Sequence, residues 1–365
     1  MQSDLKNLVA LSTFIKFGSR SLLKLKQAFN NLEGVWQANL KTLINCGLDE
    51  KVAQEFMEAR AQIDPEKEWA KLEKENIKVV LLDEENYPRL LKEIYDPPAL
   101  LYYKGILKAD LDCFPLAVVG SRKVTAYGRQ AVEEVVAPLA RQGLTIVSGL
   151  AFGVDALAHE TTLQQNGRTI AVLGSGLDED KIYPVQNRAL ARRIIENGGA
   201  VISEFPLGTL PLRFNFPIRN RVISGLSLGT LIVEAAEDSG SLITAKSALE
   251  QNREVFSVPG SIFSPLSFGP NNLLKMGAHV VTTANDILEI LNLEKAEQFI
   301  ENKKILADTA EEAALLKILS REPKHIDIII KETSLSPATI TSALTLMEMK
   351  GKVRNLGAMM YVVSR

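Results

Sequence analysis

Short apolar runs rich in β-branched residues recur through the middle of the chain, and each leads into a small-residue loop and then a helical pattern. Runs without polar alternation are typical of strands that are buried on both faces of a parallel sheet. Their alternation with helices predicts an α/β fold in which helices cover both faces of a mostly parallel sheet. The predicted strands are residues 116–120, 144–149, 169–174, 199–204, 229–235, 254–260 and 278–282.

Helical patterns flank the predicted sheet on both sides. Residues 1–62 predict a small helical module of the SAM or helix-hairpin-helix kind, and residues 63–112 predict a segment that links it to the sheet. The sheet domain is expected over 113–295, and the charged residues 296–310 predict a linker. Residues 311–365 show two helices, a turn, a third helix and a hairpin, which is the order of a winged helix.

Composition narrows the class of protein. Of the 365 residues, 46% are hydrophobic and 24% are charged, and the formal net charge is −2. This balance is that of an ordinary globular protein, and the chain has no general basic character of the kind that attracts nucleic acid. A polyanion would therefore need positive charge that is gathered locally.

The chain shows no sign of export or of a bound metal. Residues 1–18 predict an amphipathic helix rather than a signal peptide, and no apolar run approaches the roughly 18 residues that a membrane span needs. Cys46 and Cys113 lie far apart and form no metal-binding or redox pattern. We therefore expect a cytoplasmic protein without membrane partner, metal or cofactor.

Charge is segregated along the predicted sheet domain. Acidic residues are absent from four windows that contain arginine or lysine, namely 113–132, 181–195, 205–233 and 255–285. Several of these windows contain or directly follow the end of a predicted strand. Because the carboxyl ends of parallel strands meet at one edge of a sheet, we expect one electropositive strip there.

The segment LRFNFPIRNR at 212–221 combines aromatic rings with three arginines. Phe214 and Phe216 would offer ring faces beside groups that bind phosphate, and base stacking on such rings is worth roughly 1–3 kcal/mol per base whatever the base. Alternatively, both phenylalanines belong to the core and the arginines pair with Glu204 or Glu234. The first interpretation predicts single-stranded nucleic acid as the ligand.

The loop after the first predicted strand, 116–120, begins with GSR at 120–122. Gly120 allows a tight turn, Ser121 and nearby amides would face the sheet edge, and Arg122 supplies a cationic fork suited to phosphate. A nicotinamide-dependent enzyme would need a complete glycine fingerprint and an acid about 20 residues later, and neither is present. A phosphate-loop nucleotidase is also disfavoured, because no glycine-rich stretch ends in Gly-Lys-Ser/Thr.

Asp155 and His159 are four residues apart, on one face of a helix that begins near Gly153. They could form a catalytic pair, which would require a nucleophile or a metal nearby. Capping by the aspartate and an ordinary hydrogen bond to the histidine are the alternative, and we favour a structural or ligand-shaping role.

Five motifs, taken in order, resemble those of the DNA-processing protein A (DprA/Smf) family: VVGSR, SGLAFGVDALAH, AVLGSGLD…IYP…N, FPIRNRVISGLS and EAAEDSGSLITAKSALEQNREVFSVPG. The similarity spans about 113–290. It implies an extended Rossmann-like fold and a bacterial protein, not an enzyme, that binds single-stranded DNA during natural transformation. Such a protein would shield incoming DNA, help to load the RecA recombinase and form a homodimer.

The resemblance also assigns residues. The DNA groove would be formed by Gly120, Ser121, Arg122, Gly149, Phe152, Gly153, Asp155, His159, Gly174, Ser175, Gly176, Asn187, Phe216, Arg219, Asn220 and Arg221. The dimer interface would include Leu273, Leu274, Lys275 and Val280. Family members often carry a lysine just after the Tyr183–Pro184 pair, where this chain has Val185 and Gln186; Lys181 or Arg188 would have to replace it.

Two alternatives to a DNA-binding mediator remain. A nucleotide phosphoribohydrolase-like enzyme would use Glu234 as its acid, but the double glycine of that class is missing from NRVISGLSLGT. A regulatory adaptor would act through the tail and the dimer surface. The predicted recognition helix of the tail carries no Lys or Arg before Lys350, which favours contact with a protein over DNA reading there.

Overall fold

A computed structural model describes residues 2–108, 112, 114–293, 309–319, 324–333, 335–350, 352–355, 357 and 359–363. The chain divides into two compact units, Met1–Ile287 and Leu288–Arg365. Cys113 and most of the predicted linker 296–310 lie outside the described residues. The two units are considered one at a time.

The described residues of the first unit form a nine-stranded sheet. Its strands are β1 (Lys78–Leu81), β2 (Leu100–Gly105), β3 (Pro115–Val119), β4 (Thr145–Ser148), β5 (Thr169–Val172), β6 (Ala200–Ser203), β7 (Gly229–Ile232), β8 (Glu254–Ser257) and β9 (His279–Val280).

The spatial order of the strands is β1-β2-β6-β5-β4-β3-β7-β8-β9. All neighbours from β6 to β9 pair in parallel, whereas β1 and β2 pair antiparallel at one side. The chain runs outward from β3 to β6 and then returns to β7, so the strand order reverses between β3 and β7. Ligands bind at such a reversal in open α/β sheets, outside the carboxyl ends of the strands. The predicted α/β, Rossmann-like class is confirmed.

The segment 63–112, predicted only to lead into the sheet, contributes strands β1 and β2 to it. Gly105 at the end of β2 pairs with Ala200 of β6, so this segment extends the sheet at its antiparallel side. The sheet therefore starts before residue 113.

Helices lie on both faces of the sheet. The described helices of this unit are α1 (Gln2–Ser12), α2 (Ser19–Ala28), α3 (Glu33–Gln37), α4 (Leu40–Asn45), α5 (Glu50–Ala59), α6 (Pro65–Lys74), α7 (Arg89–Lys92), α8 (Ala126–Arg141), α9 (Val154–Gln164), α10 (Arg188–Glu196), α11 (Asn215–Gly225), α12 (Gly240–Glu250), α13 (Phe268–Lys275) and α14 (Ala284–Ile290), the last of which ends beyond Ile287. Within the described ranges, none of the helices combines the length and apolar character that crossing a bilayer requires.

Successive residues of the strands supply two different cores, because side chains alternate between the faces of a sheet. Tyr102 packs into a core with α1, α2, α5 and α10, whereas Leu101 packs into one with α7, α11 and α12. The Tyr102 hydroxyl lies 2.6 Å from the Ser12 hydroxyl of α1. The helices of residues 1–62 thus share a core with the sheet, and the domain boundary at residue 62 stays a prediction.

The second unit has the predicted winged-helix order. It contains α15 (Ala310–Ile318), α16 (Ile326–Glu332) and α17 (Pro337–Met349), with strands β10 (Lys324–His325), β11 (Val353–Asn355) and β12 (Met360–Val363). Its described strands pair antiparallel in the order β10-β12-β11. Leu315, Ile329 and Leu344 bring the three helices into one core.

Candidate nucleic-acid interface

Four segments meet at the carboxyl edge of the sheet: the loops after β3, β4 and β5, and the start of α11. The backbone amide of Val154 donates to the Ser121 carbonyl (3.1 Å), which joins the first two loops. The Asn187 amide group donates to the Leu150 carbonyl (2.8 Å) and joins the second to the third. Asn215, buried at the start of α11, donates to the Gly174 carbonyl (3.0 Å). The predicted strip is therefore one connected surface.

Glycine is required where these segments approach each other. Gly153 has a positive φ of 77°, and a Cβ there would collide with the Ser121 carbonyl oxygen. A Cβ on Gly120 would lie 2.7 Å from the Val154 side chain, and one on Gly174 would lie 2.9 Å from the Phe216 ring. The glycine loops are thus explained by close packing around a rigid edge.

An exposed arginine and two aromatic rings lie together on this edge. The Arg122 guanidinium carbon is 5.5 Å from the centroid of the Phe216 ring, within cation–π range. Tyr183, which is 44% exposed, has its ring centroid 6.1 Å from that of Phe216. We call Arg122, Tyr183 and Phe216 the ring-and-cation surface.

Further apolar side chains stand exposed on the same segments. Phe152 after β4 is 38% exposed, Phe214 before α11 is 60% exposed and Ile218 is also exposed. Phe214 is therefore not a core residue, contrary to the alternative interpretation of this segment. Exposed rings beside a cation are suited to stacking with unpaired bases.

Arg219, in contrast, is buried and only 5% exposed. Its Nη1 donates to the carbonyls of Gly149 (2.7 Å) and Val172, and its Nε donates to the side chain of Asn220 (3.1 Å). Burial lowers the pKa of Arg219 to about 10, so it stays protonated at neutral pH. The structure therefore does not support a contact between Arg219 and phosphate. The Arg219 side chain instead joins β5, the loop after β4 and α11.

Arg221 is paired with acids in the way that the alternative interpretation expected. Its guanidinium forms ion pairs with Glu204 after β6 and with Asp96 (3.2 Å). Burial raises the pKa of Glu204 to about 7, although Arg221 opposes this shift. Arg221 therefore holds the end of β6 to α11 instead of presenting its charge to the edge.

Asp155 and His159 do not form a catalytic pair. The Asp155 carboxylate accepts from the amides of Gly149 (3.1 Å) and Ala151 (3.4 Å), and burial raises its pKa. His159 is fully buried, and its Nδ1 lies 2.6 Å from the hydroxyl of Thr169 at the amino end of β5. Because α9 runs back from the carboxyl edge, His159 lies too deep to contact DNA, and this assignment is corrected.

The Thr169 hydroxyl donates to the Ile146 carbonyl (2.7 Å), so it must accept from His159 Nδ1. Nε2 of His159 then carries no proton, and burial lowers the pKa of this histidine to about 3. His159 is a neutral core residue.

The hydroxyls of both predicted serines point inward. Ser121 Oγ accepts from the Lys123 amide (3.1 Å), and Ser175 Oγ donates toward the carbonyls of Gly176 (3.1 Å) and Lys181 (3.0 Å). Both side chains are buried. Their loops contribute backbone to the edge, and their hydroxyls stabilise the loops.

The two cations that were expected to replace the family lysine already have partners. Lys181 forms an ion pair with Asp180, and Arg188 donates to the carbonyls of Asp180 and Ile182. Val185 stands exposed where that lysine was expected. Both cations are therefore engaged within the protein, and neither replaces the family lysine as a free positive charge.

The predicted self-association residues lie on α13 and the edge strand β9. Val280 is 54% exposed on β9, Lys275 is exposed, and Leu274 and Leu273 are half-buried, the last against the core. Strand β9 pairs with β8 on one side. The dimer interface stays a prediction.

Within the part of the chain that the structure describes, no cluster of three or more His, Cys, Asp or Glu side chains could hold a metal ion. Glu234, the acid of the enzymatic alternative, is buried, and its carboxylate accepts from the Thr125 amide (2.9 Å) and the Thr125 hydroxyl. Thr125 is the N-cap of α8, so Glu234 stabilises that helix terminus.

Fold and site together define a Rossmann-like protein with a ring-and-cation surface at its ligand-binding edge. Residues 78–292 match the family described as DNA recombination-mediator protein A, and residues 302–359 match the DprA winged helix domain. The chain belongs to the DNA-processing protein A (DprA/Smf) family.

Individual relatives agree with this assignment. The chain is 49% identical over 246 residues to protein Smf of Escherichia coli, which covers 67% of this chain and 64% of that protein. The X-ray structure of DNA processing protein A from Streptococcus pneumoniae is similar with a TM-score of 0.64 and 40% identity, over 77% of this chain and 95% of that one. A structure of Helicobacter pylori DNA processing protein A, described for its single-stranded DNA binding mode, has a TM-score of 0.52 and 30% identity over 59% and 95%.

Proposed function

We propose that this protein binds single-stranded DNA along the ring-and-cation surface and acts as a recombination mediator rather than an enzyme. In this proposal it is a cytoplasmic homodimer that protects DNA entering during natural transformation and helps to load RecA onto it. The contact of the exposed Arg122 with the half-buried ring of Phe216 carries the DNA-binding part of the proposal.

The geometry supports a ligand with both charge and unpaired bases. Arg122 lies on an exposed loop and can donate to phosphate. The exposed rings of Tyr183 and Phe214 and the half-buried ring of Phe216 lie within the same strip. A duplex keeps its bases stacked inside and cannot use these rings. The relative from Helicobacter pylori, described as binding single-stranded DNA, supports the same ligand.

The enzymatic alternative finds no support at the side chains that would carry it. Both carboxylate oxygens of Glu234 accept hydrogen bonds from Thr125, and His159 is a neutral residue in the core. A general acid or base must lie within hydrogen-bond reach of the substrate atom to or from which it transfers a proton. His159 cannot do so from the core, and both oxygens of Glu234 are already engaged by Thr125.

The test is binding of a fluorescent oligothymidine by Arg122→Ala. We expect about tenfold weaker binding, since a hydrogen bond to a charged group contributes roughly 1.5–3 kcal/mol, and a slope of log K against log salt that is smaller by about 0.7. Arg141→Ala is the matched control, because Arg141 is an exposed arginine at the carboxyl end of α8, the helix that follows the Arg122 loop. Equal binding by both variants would refute the site.

For the winged-helix unit we propose contact with a protein. Helix α17 contains neither Arg nor Lys, and Leu346 and Met349 are exposed on it. Removing residues 305–365 should leave the affinity for single strands unchanged. A loss of more than tenfold would assign DNA binding to this unit instead.

A further inference from the structure

A cavity of about 530 Å³ opens at the carboxyl edge, beside the ring-and-cation surface. It is formed by the loops after β3, β7 and β8, at the reversal of strand order between β3 and β7. Its volume lies within the roughly 300–1,000 Å³ typical of small-molecule sites. The lining residues are Thr125, Tyr127, Glu234, Pro259, Gly260, Ser261, Ser264 and Ser267.

The walls of this cavity are held in place. The Tyr127 hydroxyl donates to the Pro259 carbonyl. The Asn271 side chain accepts from the Gly260 amide (3.2 Å) and donates to the Gly260 carbonyl (3.0 Å). A Cβ on Gly260 would collide with Ser267. The cavity is therefore preformed, and a ligand would not have to order the loop after β8.

The chemistry of the lining selects a hydrogen-bond donor without negative charge. Glu234 is 3% exposed and accepts two hydrogen bonds from Thr125, but a carboxylate offers about four lone-pair sites, so two remain. The hydroxyls of Tyr127, Ser261 and Ser264 add neutral partners. Because the lining includes a carboxylate and no Lys or Arg, it disfavours phosphate and favours a group that donates hydrogen bonds, such as an amino group.

The cavity and the ring-and-cation surface share one loop. Thr125 follows Arg122 by three residues, a span of at most about 11 Å. The Gly120 backbone packs against Glu234, since a Cβ on Gly120 would lie 2.9 Å from the Glu234 carbonyl oxygen. A strand whose phosphate contacts Arg122 thus has a neighbouring nucleotide near the cavity mouth.

We propose that this cavity binds one unstacked nucleobase that carries an exocyclic amino group, cytosine or adenine, with Glu234 accepting from the amino group. A carboxylate accepts from the N4 amino group of cytosine, whereas thymine presents an acceptor, O4, at the same position. The base comes from the bound single strand or from a free nucleoside. The first source rests on the proposed function, and the second does not.

The experiment compares oligodeoxycytidine with oligothymidine, two weakly stacking strands that differ at this group, by anisotropy with the full chain. We expect the cytidine strand to bind about fivefold more tightly, which is at the low end of the discrimination that a good contact with a base edge gives. Ser264→Phe, which fills the cavity, should abolish the preference and leave oligothymidine binding within twofold. Ser3→Phe, on the exposed start of α1, is the matched control and should retain it.

Saturation-transfer NMR with free deoxycytidine separates the two sources. A signal that is present in the wild type and lost in Ser264→Phe, without a strand preference, supports the cavity as a nucleoside site. The inference is overturned if Ser264→Phe retains the strand preference. It is also overturned if both strands bind equally and deoxycytidine gives no signal. Neither result contradicts DNA binding at the ring-and-cation surface. Binding of deoxycytidine but of neither strand would refute the proposed function and leave the cavity assignment intact.

Discussion

Arg219 should stabilise the folded chain rather than contact DNA. Arg219→Met removes the donors to the carbonyls of Gly149 and Val172 and to the Asn220 side chain, and it takes the positive charge away from Asp155. Hydrogen bonds to charged groups contribute roughly 1.5–3 kcal/mol each, and three bonds made by one side chain are not additive, so we expect the free energy of unfolding to fall by about 3–5 kcal/mol. Asp155 would also lose the positive charge that opposes the effect of its burial.

The assay is urea unfolding followed by far-UV circular dichroism, with Arg122→Met as the matched control. Arg122 is exposed, so its replacement should change the free energy of unfolding by less than about 0.5 kcal/mol. Unfolding of Arg219→Met at the wild-type urea concentration would refute a structural role for Arg219. If that variant also loses affinity for single strands while it keeps its stability, Arg219 contacts DNA directly.

Three further predictions concern Phe216, Glu204 and Val280. Phe216→Leu should lose about 1–3 kcal/mol of binding to oligothymidine, the worth of one stacked base; unchanged anisotropy titrations would remove Phe216 from the site. Burial raises the pKa of Glu204 from 4.5 to about 7, so its contribution to stability is complete below pH 4.5 and is lost as the pH rises through 7. Glu204→Gln should therefore flatten the fall in unfolding free energy between pH 4.5 and 7 by about 3 kcal/mol, and an identical pH profile would contradict the assignment. Val280→Asp on the edge strand β9 should halve the mass seen by light scattering; a dimer of unchanged mass would place the interface elsewhere.

The strands of the parallel sheet could be predicted because each is a continuous apolar run that ends in a small residue. Strands β1 and β2 were not predicted as part of the sheet. They lie in a segment with prolines and charges, and they are paired through contacts that are distant in sequence, as Tyr103 with Ile202 shows. Antiparallel additions at the side of a parallel sheet carry no local signal of their position.

The residue types at the edge could be predicted, but their burial could not. Arg122, Arg219 and Arg221 have the same chemistry in the sequence, yet only Arg122 is exposed. Which arginine turns inward depends on acceptors from other elements, such as the Gly149 and Val172 carbonyls.

The link made by Asn215 was also missed. Its side chain joins α11 to the Gly174 and Leu210 carbonyls. The available signal was a lone amide between two phenylalanines, which equally suits an exposed residue. The sequence contains nothing that separates these two cases.

The most direct measurement is a titration of fluorescent oligothymidine with the purified protein, single-stranded and then as a duplex, at several salt concentrations. We expect tight binding of the single strand that weakens as salt rises, with a slope of roughly 0.7 per phosphate contact, and clearly weaker binding of the duplex. Equal affinity for both forms, or no binding at low salt, would contradict the claim that the ring-and-cation surface recognises unpaired bases.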